Sequence, residues 1–241
     1  MLPEAPIELY RKGYAKDISI MTGTTADEAR LWMGAGLSYE EIKQYALRSV
    51  EDAALNLKEE DRQYYEEFQK VCRFQEPGLT EIEFMDEQMF RVPMLRQLDI
   101  QSEFNKNLYC YYWTYPSSNP EIGATHSVEL LFEFDRRGVG ENSPFNGSNI
   151  PEELFEAVPQ MWTNFARYGN PSTDKIDWKP YSAEDPNVLV IAGPDDIRIE
   201  QNILPDQYNA VVPLLDYYQF SDKYFSPTNL MGFIAEQEKN E

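Results

Sequence analysis

Short runs of almost continuous apolar and aromatic residues recur along the chain, and longer stretches of helical periodicity separate them. "DISIMTG" (17–23), "KNLYCYYWTYP" (106–116), "VLVIAG" (188–193) and "IRIEQ" (197–201) are rich in the β-branched and aromatic residues that pack on a pleated surface, so they predict strands. The first is expected to end at Gly23 and to enter the loop "TTADEARLWMG". Helices are predicted between the strands. "SYEEIKQYALR" opens with Ser38 and Glu41 at capping-box spacing. "KEEDRQYYEEFQKVCRF" (58–74) sets Tyr64, Phe68 and Val71 on one stripe of a charged helix. The stretch 80–104 offers a second capping box, Thr80 and Glu83, and contains Pro93, which should kink or divide it.

After the aromatic strand, "SVELLFEF" turns helical, and a Gly/Asn/Ser-rich loop (136–149) leads to a helix over 151–169. Pro151 suits the first turn of that helix, and Gly169 suits its C-terminal cap. A last helix is expected over 206–219. There is no internal repeat and no linker that would divide the chain, so 1–241 reads as part of one α/β domain. Its strands are few for a complete sheet.

Charge narrows the function classes. With 42 Asp and Glu against 21 Lys and Arg the formal net charge is −21, a sign that repels nucleic-acid backbones and anionic lipid heads; neither is an expected partner. The two cysteines, Cys72 and Cys110, read as buried thiols. A single histidine, no CxxC and no EF-hand spacing leave no metal or cofactor site in prospect. There is no apolar leader or membrane-length run, so the chain as given is expected to be soluble and cytoplasmic; a longer N-terminus would change that.

The single histidine, His126, follows a strand in the Gly-containing turn "GATHSVELLFEF" (123–134). Glu28 stands just past another strand. In open α/β sheets, loops beyond the carboxyl ends of strands build the active site, so a histidine base oriented by a carboxylate is one reading. A structural or surface histidine is the other.

Four segments in order carry a family resemblance: "LPEAPIELYRKGYAKDISIMTGTTADEARLW", "MDEQMFRVPMLRQLDIQSEFNKNLYCYYWTYPSS", "GATHSVELLFEF" and "MWTNFARYGNPS…DWKPYS". Together they resemble the C-terminal half of a type B carboxylesterase, the α/β-hydrolase family that includes para-nitrobenzyl esterases and cholinesterases. The resemblance implies an incomplete mixed sheet with many helices, and a carboxylic ester as substrate. It makes Glu28 the triad acid, with Asp27 its rival, and His126 the general base. It places Glu129 behind the histidine, where its role is either to tune His126 or to serve as a helix-terminal surface charge. Leu31 and Trp32 fall at substrate-pocket positions or are plain core. Ala29 stands where the family has glycine and would be strained if its φ were positive.

The family's nucleophile elbow, G-x-S-x-G, occurs nowhere in the sequence, and neither does a Gly-rich oxyanion loop. The expectation is a C-terminal part that carries two of three triad members. Its first strand would have an open edge, and the chain would be poorly stable alone or completed by an N-terminal half chain. An inactive truncated product, or a binding module on the same fold, is the alternative.

Overall fold

A computed structural model describes residues 3–35, 37–136 and 151–215. The chain forms two compact units, each discontinuous in sequence: Met1–Glu28 with Met94–Ile203, and Ala29–Pro93 with Leu204–Glu241.

The first unit is built on a four-stranded sheet of order β1 (Ile20–Thr25), β2 (Leu108–Trp113), β3 (Asn187–Gly193) and β4 (Asp196–Gln201). β1, β2 and β3 are parallel and β4 is antiparallel to β3. Position in the sheet explains burial. All six residues of central β2 are buried, whereas the first four of β1 are half-exposed, because β1 has a partner on one side only among the described residues.

Gly23 does not end β1 as expected; it lies inside the strand, opposite Tyr111. The reason is a close approach: a Cβ at Gly23 would lie 2.3 Å from Tyr111 Cγ, so only glycine lets the phenol ring lie across the strand. Around β2 the aromatic residues interlock, Trp113 with Phe132, Phe132 with Phe155, and Tyr111 with Trp162 at ring-centroid distances of 5.1, 4.8 and 5.3 Å.

The helices of this unit are α1 (Pro6–Arg11), most of α5 (Val92–Ser102), the single turn α6 (Leu130–Glu133) and α7 (Glu152–Tyr168). α7 stops where anticipated, because Gly169 takes a left-handed conformation (φ 70°) and its N–H reaches back to Phe165 O. The Gly/Asn/Ser-rich loop lies almost wholly outside the described residues.

The second unit is helical: α2 (Tyr39–Leu55), α3 (Glu59–Val71), α4 (Leu79–Asp86) and α8 (Pro205–Val211). The Ser38–Glu41 capping box forms as read. Ser38 N–H donates to the Glu41 carboxylate at 2.7 Å, and Glu41 N–H donates to Ser38 Oγ at 3.3 Å. The second box does not form. α4 starts earlier, after Gly78, whose N–H is capped by Glu81 at 2.6 Å, because the positive φ of Gly78 (88°) turns the chain there. Thr80 Oγ is left to donate to Phe74 O at 2.8 Å, and fully buried Glu83 accepts from Arg73 and Gln207.

The buried residues of α3 are Tyr65 and Phe68, with Cys72 buried at its C-cap; Phe68 is as expected, but Tyr65 replaces Tyr64 because it reaches Glu81 with its hydroxyl. Pro93 divides its helix, but upstream of itself. A wide π turn over Glu87–Arg91 separates α4 from α5, since proline offers no N–H to the carbonyl four residues back and its ring crowds that carbonyl. α8 ends at Val211 in a 3₁₀ turn, Val212–Leu214, that contains Pro213; residues 216–219 of the expected helix lie outside the described residues. Cys72 and Cys110 are both buried thiols. No described helix is long and apolar enough to cross a membrane.

Candidate active site

The site grows from the carboxyl end of β1. Beyond Thr25 the chain stays zipped to its neighbours: Ala26 N–H donates to Trp113 O at 2.9 Å and Asp27 N–H to Ala124 O at 3.0 Å. Asp27 and Thr125 form an isolated parallel bridge. The next residue on each side is Glu28 and His126, so the bridge register delivers the two functional candidates to the same place.

Glu28 is buried, and both its oxygens are engaged. Oε1 accepts from Thr25 N–H at 2.7 Å, and Oε2 lies 2.6 Å from His126 Nδ1. A carboxylate can only accept, so Nδ1 carries the proton and Nε2 of the neutral ring keeps its lone pair. The imidazole is 47 % exposed while the Glu28 side chain is 5 % exposed. The acid is therefore shielded and fixed, and the ring has an open face. The hydrogen bond to Glu28 is the main reason that His126 holds its proton above the usual histidine range; the charges of Glu28 and Glu129 add to it, and partial burial opposes it.

Asp27, the rival acid, does different work here. Its Oδ2 accepts from Ala124 N–H at 2.9 Å, which ties the histidine turn to the end of β1. Ala29, fully buried, has no positive φ, so the alanine carries none of the backbone strain its position raised; its N–H donates to Asp86 at 2.6 Å. Instead the left-handed residue is Ser127 (φ 67°), directly after the histidine.

Behind the ring, Glu129 is buried just before α6. Tyr111 Oη donates to its Oε1 at 3.4 Å, and its Oε2 has no hydrogen-bond partner. Burial, reinforced by the charge of Glu28, pushes the Glu129 carboxyl up to about 7. Glu133, one helical turn on, is pushed to about 7 by burial and by Glu129, against a hydrogen bond from Trp162. Tyr111 is raised by burial and by the surrounding carboxylates.

The first unit thus brings together Asp27, Glu28, His126 and Glu129. Leu31 belongs to the second unit, half-buried against its apolar core, and Trp32 follows it in the 3₁₀ turn Glu28–Ala35. Sequence reasoning passed over Tyr111, Glu133 and Trp162. The i, i+4 spacing of Glu129 and Glu133 was the available signal for one of them. Among the described residues no cluster of three or more His, Cys, Asp or Glu is placed to hold a metal ion.

The profile of the carboxylesterase family matches residues 1–211. The para-nitrobenzyl esterase of Bacillus subtilis (strain 168) is 26% identical over 195 residues, 79% of this chain and 37% of that protein. The acetylcholinesterase of Bungarus fasciatus is 30% identical over 105 residues, 40% of this chain and 17% of that protein. A solved para-nitrobenzyl esterase superposes with a TM-score of 0.67 at 22% identity, covering 88% of this chain and 42% of its own. A Geobacillus stearothermophilus carboxylesterase does so at 0.66 and 24%, covering 86% and 43%. The fold is that of the α/β-hydrolase carboxylesterases, and the chain spans about two fifths of the length of the solved esterases it matches.

Proposed function

We propose, from the premise that this chain belongs to the carboxylesterase family, that it contributes the acid and base of a Ser–Glu–His triad hydrolysing carboxylic esters. The observation that carries this reading is the 2.6 Å contact between His126 Nδ1 and the buried Glu28 carboxylate, made by a ring that is itself 47 % exposed. In the proposed cycle His126 Nε2 takes the hydroxyl proton of a serine as that oxygen attacks the ester carbonyl. The ring then returns the proton to the departing alkoxide, which leaves as the alcohol. A water attacks the acyl-serine in the second half, again losing its proton to Nε2, and the acid is released as the serine recovers its proton. Glu28 holds the ring in the required tautomer and stabilises the imidazolium.

The sequence contains no G-x-S-x-G, so the serine and the oxyanion donors are assigned to polypeptide corresponding to the upstream part of the longer relatives. That N-terminal half is the partner proposed for this chain, a small carboxylic ester is the substrate, and Leu31 and Trp32 are assigned to its pocket. On this reading 1–241 is part of one esterase domain, soluble and cytoplasmic as given.

The test is hydrolysis of a chromogenic short-chain ester by the chain alone and after reconstitution with the upstream half of a family esterase. Turnover is expected only in the reconstituted pair, and H126A should abolish it. Hydrolysis by the chain alone would disprove the missing serine, and equal turnover by H126A would end the catalytic assignment. A second reading, a non-catalytic interaction module, draws on the unpaired edge of β1 among the described residues. It predicts partner binding without turnover in any combination.

A further inference from the structure

The described carboxylates buried in the second unit have partners suited to a charge: Glu81 is met by Tyr65 and Gly78, Glu83 by Arg73 and Gln207, Asp86 by Ala29 N–H, and Glu87 by Arg91. Glu129 in the first unit is buried to a similar degree, at 8 % exposure, yet among the described residues its Oε2 has no hydrogen-bond partner, and the carboxylate is met by its own backbone N–H and a long bond from the Tyr111 phenol rather than by a cation. A bare carboxylate oxygen in such a place is costly unless it carries a proton or borrows one. Glu133 stands one turn further along. Its backbone N–H bonds to Glu129 O at 3.1 Å, so the two side chains leave the same face of α6.

Among the described residues the groups acting on this pair are Glu28 from the end of β1, His126 from its turn, Tyr111 from β2, and the neutral indole of Trp162 from α7. Of these only His126 can be positive, and Glu28 already holds it. A buried acid and a half-buried one, one helical turn apart, resist ionising together.

We propose that Glu129 and Glu133 share a single proton, and that its loss or gain shifts the ionisation that Glu28 sets for His126. While the proton is held, the pair presents one negative charge behind the ring. When it leaves, the second charge favours the imidazolium, and His126 gives up its own proton only at higher pH. The titrations of the pair and the ring are thereby coupled. Glu133 is in this sense a positioning residue, acting on His126 through Glu129. The burial-driven rise of both carboxyls agrees with the geometry.

His126 is the only imidazole in the chain, so its ring C–H resonance can be followed in the full chain without assignment. Its shift against pH is expected to trace a drawn-out curve with two inflections in the native protein. The second inflection should vanish in E129Q and move to lower pH in E133Q, whose amide still accepts from Trp162 while the competing charge is gone. Superimposable curves for native protein and E133Q would overturn the proposal. A second measurement needs no variant: infrared difference spectra should lose a protonated-carboxyl carbonyl band between about pH 6 and about pH 8, where ordinary carboxylates, titrating at about pH 4, no longer change. No such band overturns the proposal equally. Neither readout needs turnover, so both stand or fall apart from the esterase assignment.

Discussion

Glu28 and His126 are 98 positions apart in sequence, and their side chains meet at 2.6 Å because their neighbours, Asp27 and Thr125, pair as a parallel bridge. The contact orders a tautomer. Glu28→Gln can donate as well as accept at the ring, so it permits the wrong tautomer. In the reconstituted esterase kcat is expected to fall roughly 10⁴-fold with little change in KM. Steady-state kinetics with a chromogenic ester measures this, and a loss below tenfold would show that Glu28 does not orient the base.

Asp27 is expected to act through structure. Asp27→Ala strips Ala124 N–H of its acceptor and loosens the histidine turn, at a cost of about 1–3 kcal/mol for a buried donor left unpaired. Urea denaturation of the two proteins gives the difference. A variant as stable as the native chain would remove Asp27 from this role.

Stability should also depend on pH through Glu129. Its folded carboxyl is raised to about 7, above the ordinary value, so the folded state binds the extra proton. The contribution is whole below the unfolded value near 4.5 and is lost as pH rises to about 7, an effect of roughly 3 kcal/mol at most. His126, also raised by Glu28, adds in the same direction at higher pH: its stabilisation is present below the unfolded value and is lost as pH rises through the folded one. Melting temperatures recorded from pH 5 to 8 should therefore decline more steeply for the native chain than for Glu129→Gln. Parallel curves would contradict the burial argument.

Gly23→Ala tests the close approach beneath Tyr111. The new methyl would sit 2.3 Å from the ring's Cγ, and the ring cannot rise without disturbing its contacts with Trp162 and Glu129. A loss of about 1–3 kcal/mol is expected, seen as a lower denaturation midpoint at unchanged m-value. An unchanged midpoint would mean that β1 and β2 separate there at no cost.

The elements themselves were legible in the chain because they rest on local rules. The aromatic run of β2, the Ser38–Glu41 cap and the Gly169 stop each depend on residues a few positions apart. The mistaken details were those where a distant partner intervened. Thr80 lost its cap to the turn at Gly78, and the buried stripe of α3 followed the reach of Tyr65 to Glu81. Gly23 was a strand residue because of a ring on the next strand.

For the site the division runs along the same line. By itself the sequence settled that there is one imidazole, that carboxylates stand within reach of strand ends, and that no G-x-S-x-G exists to serve them. Which carboxylate meets the ring depends on a bridge register, and the different surroundings of Glu28 and Glu129 depend on which donors the folded chain brings to each. Register and burial are properties of segments a hundred residues apart, and only tertiary packing can decide them.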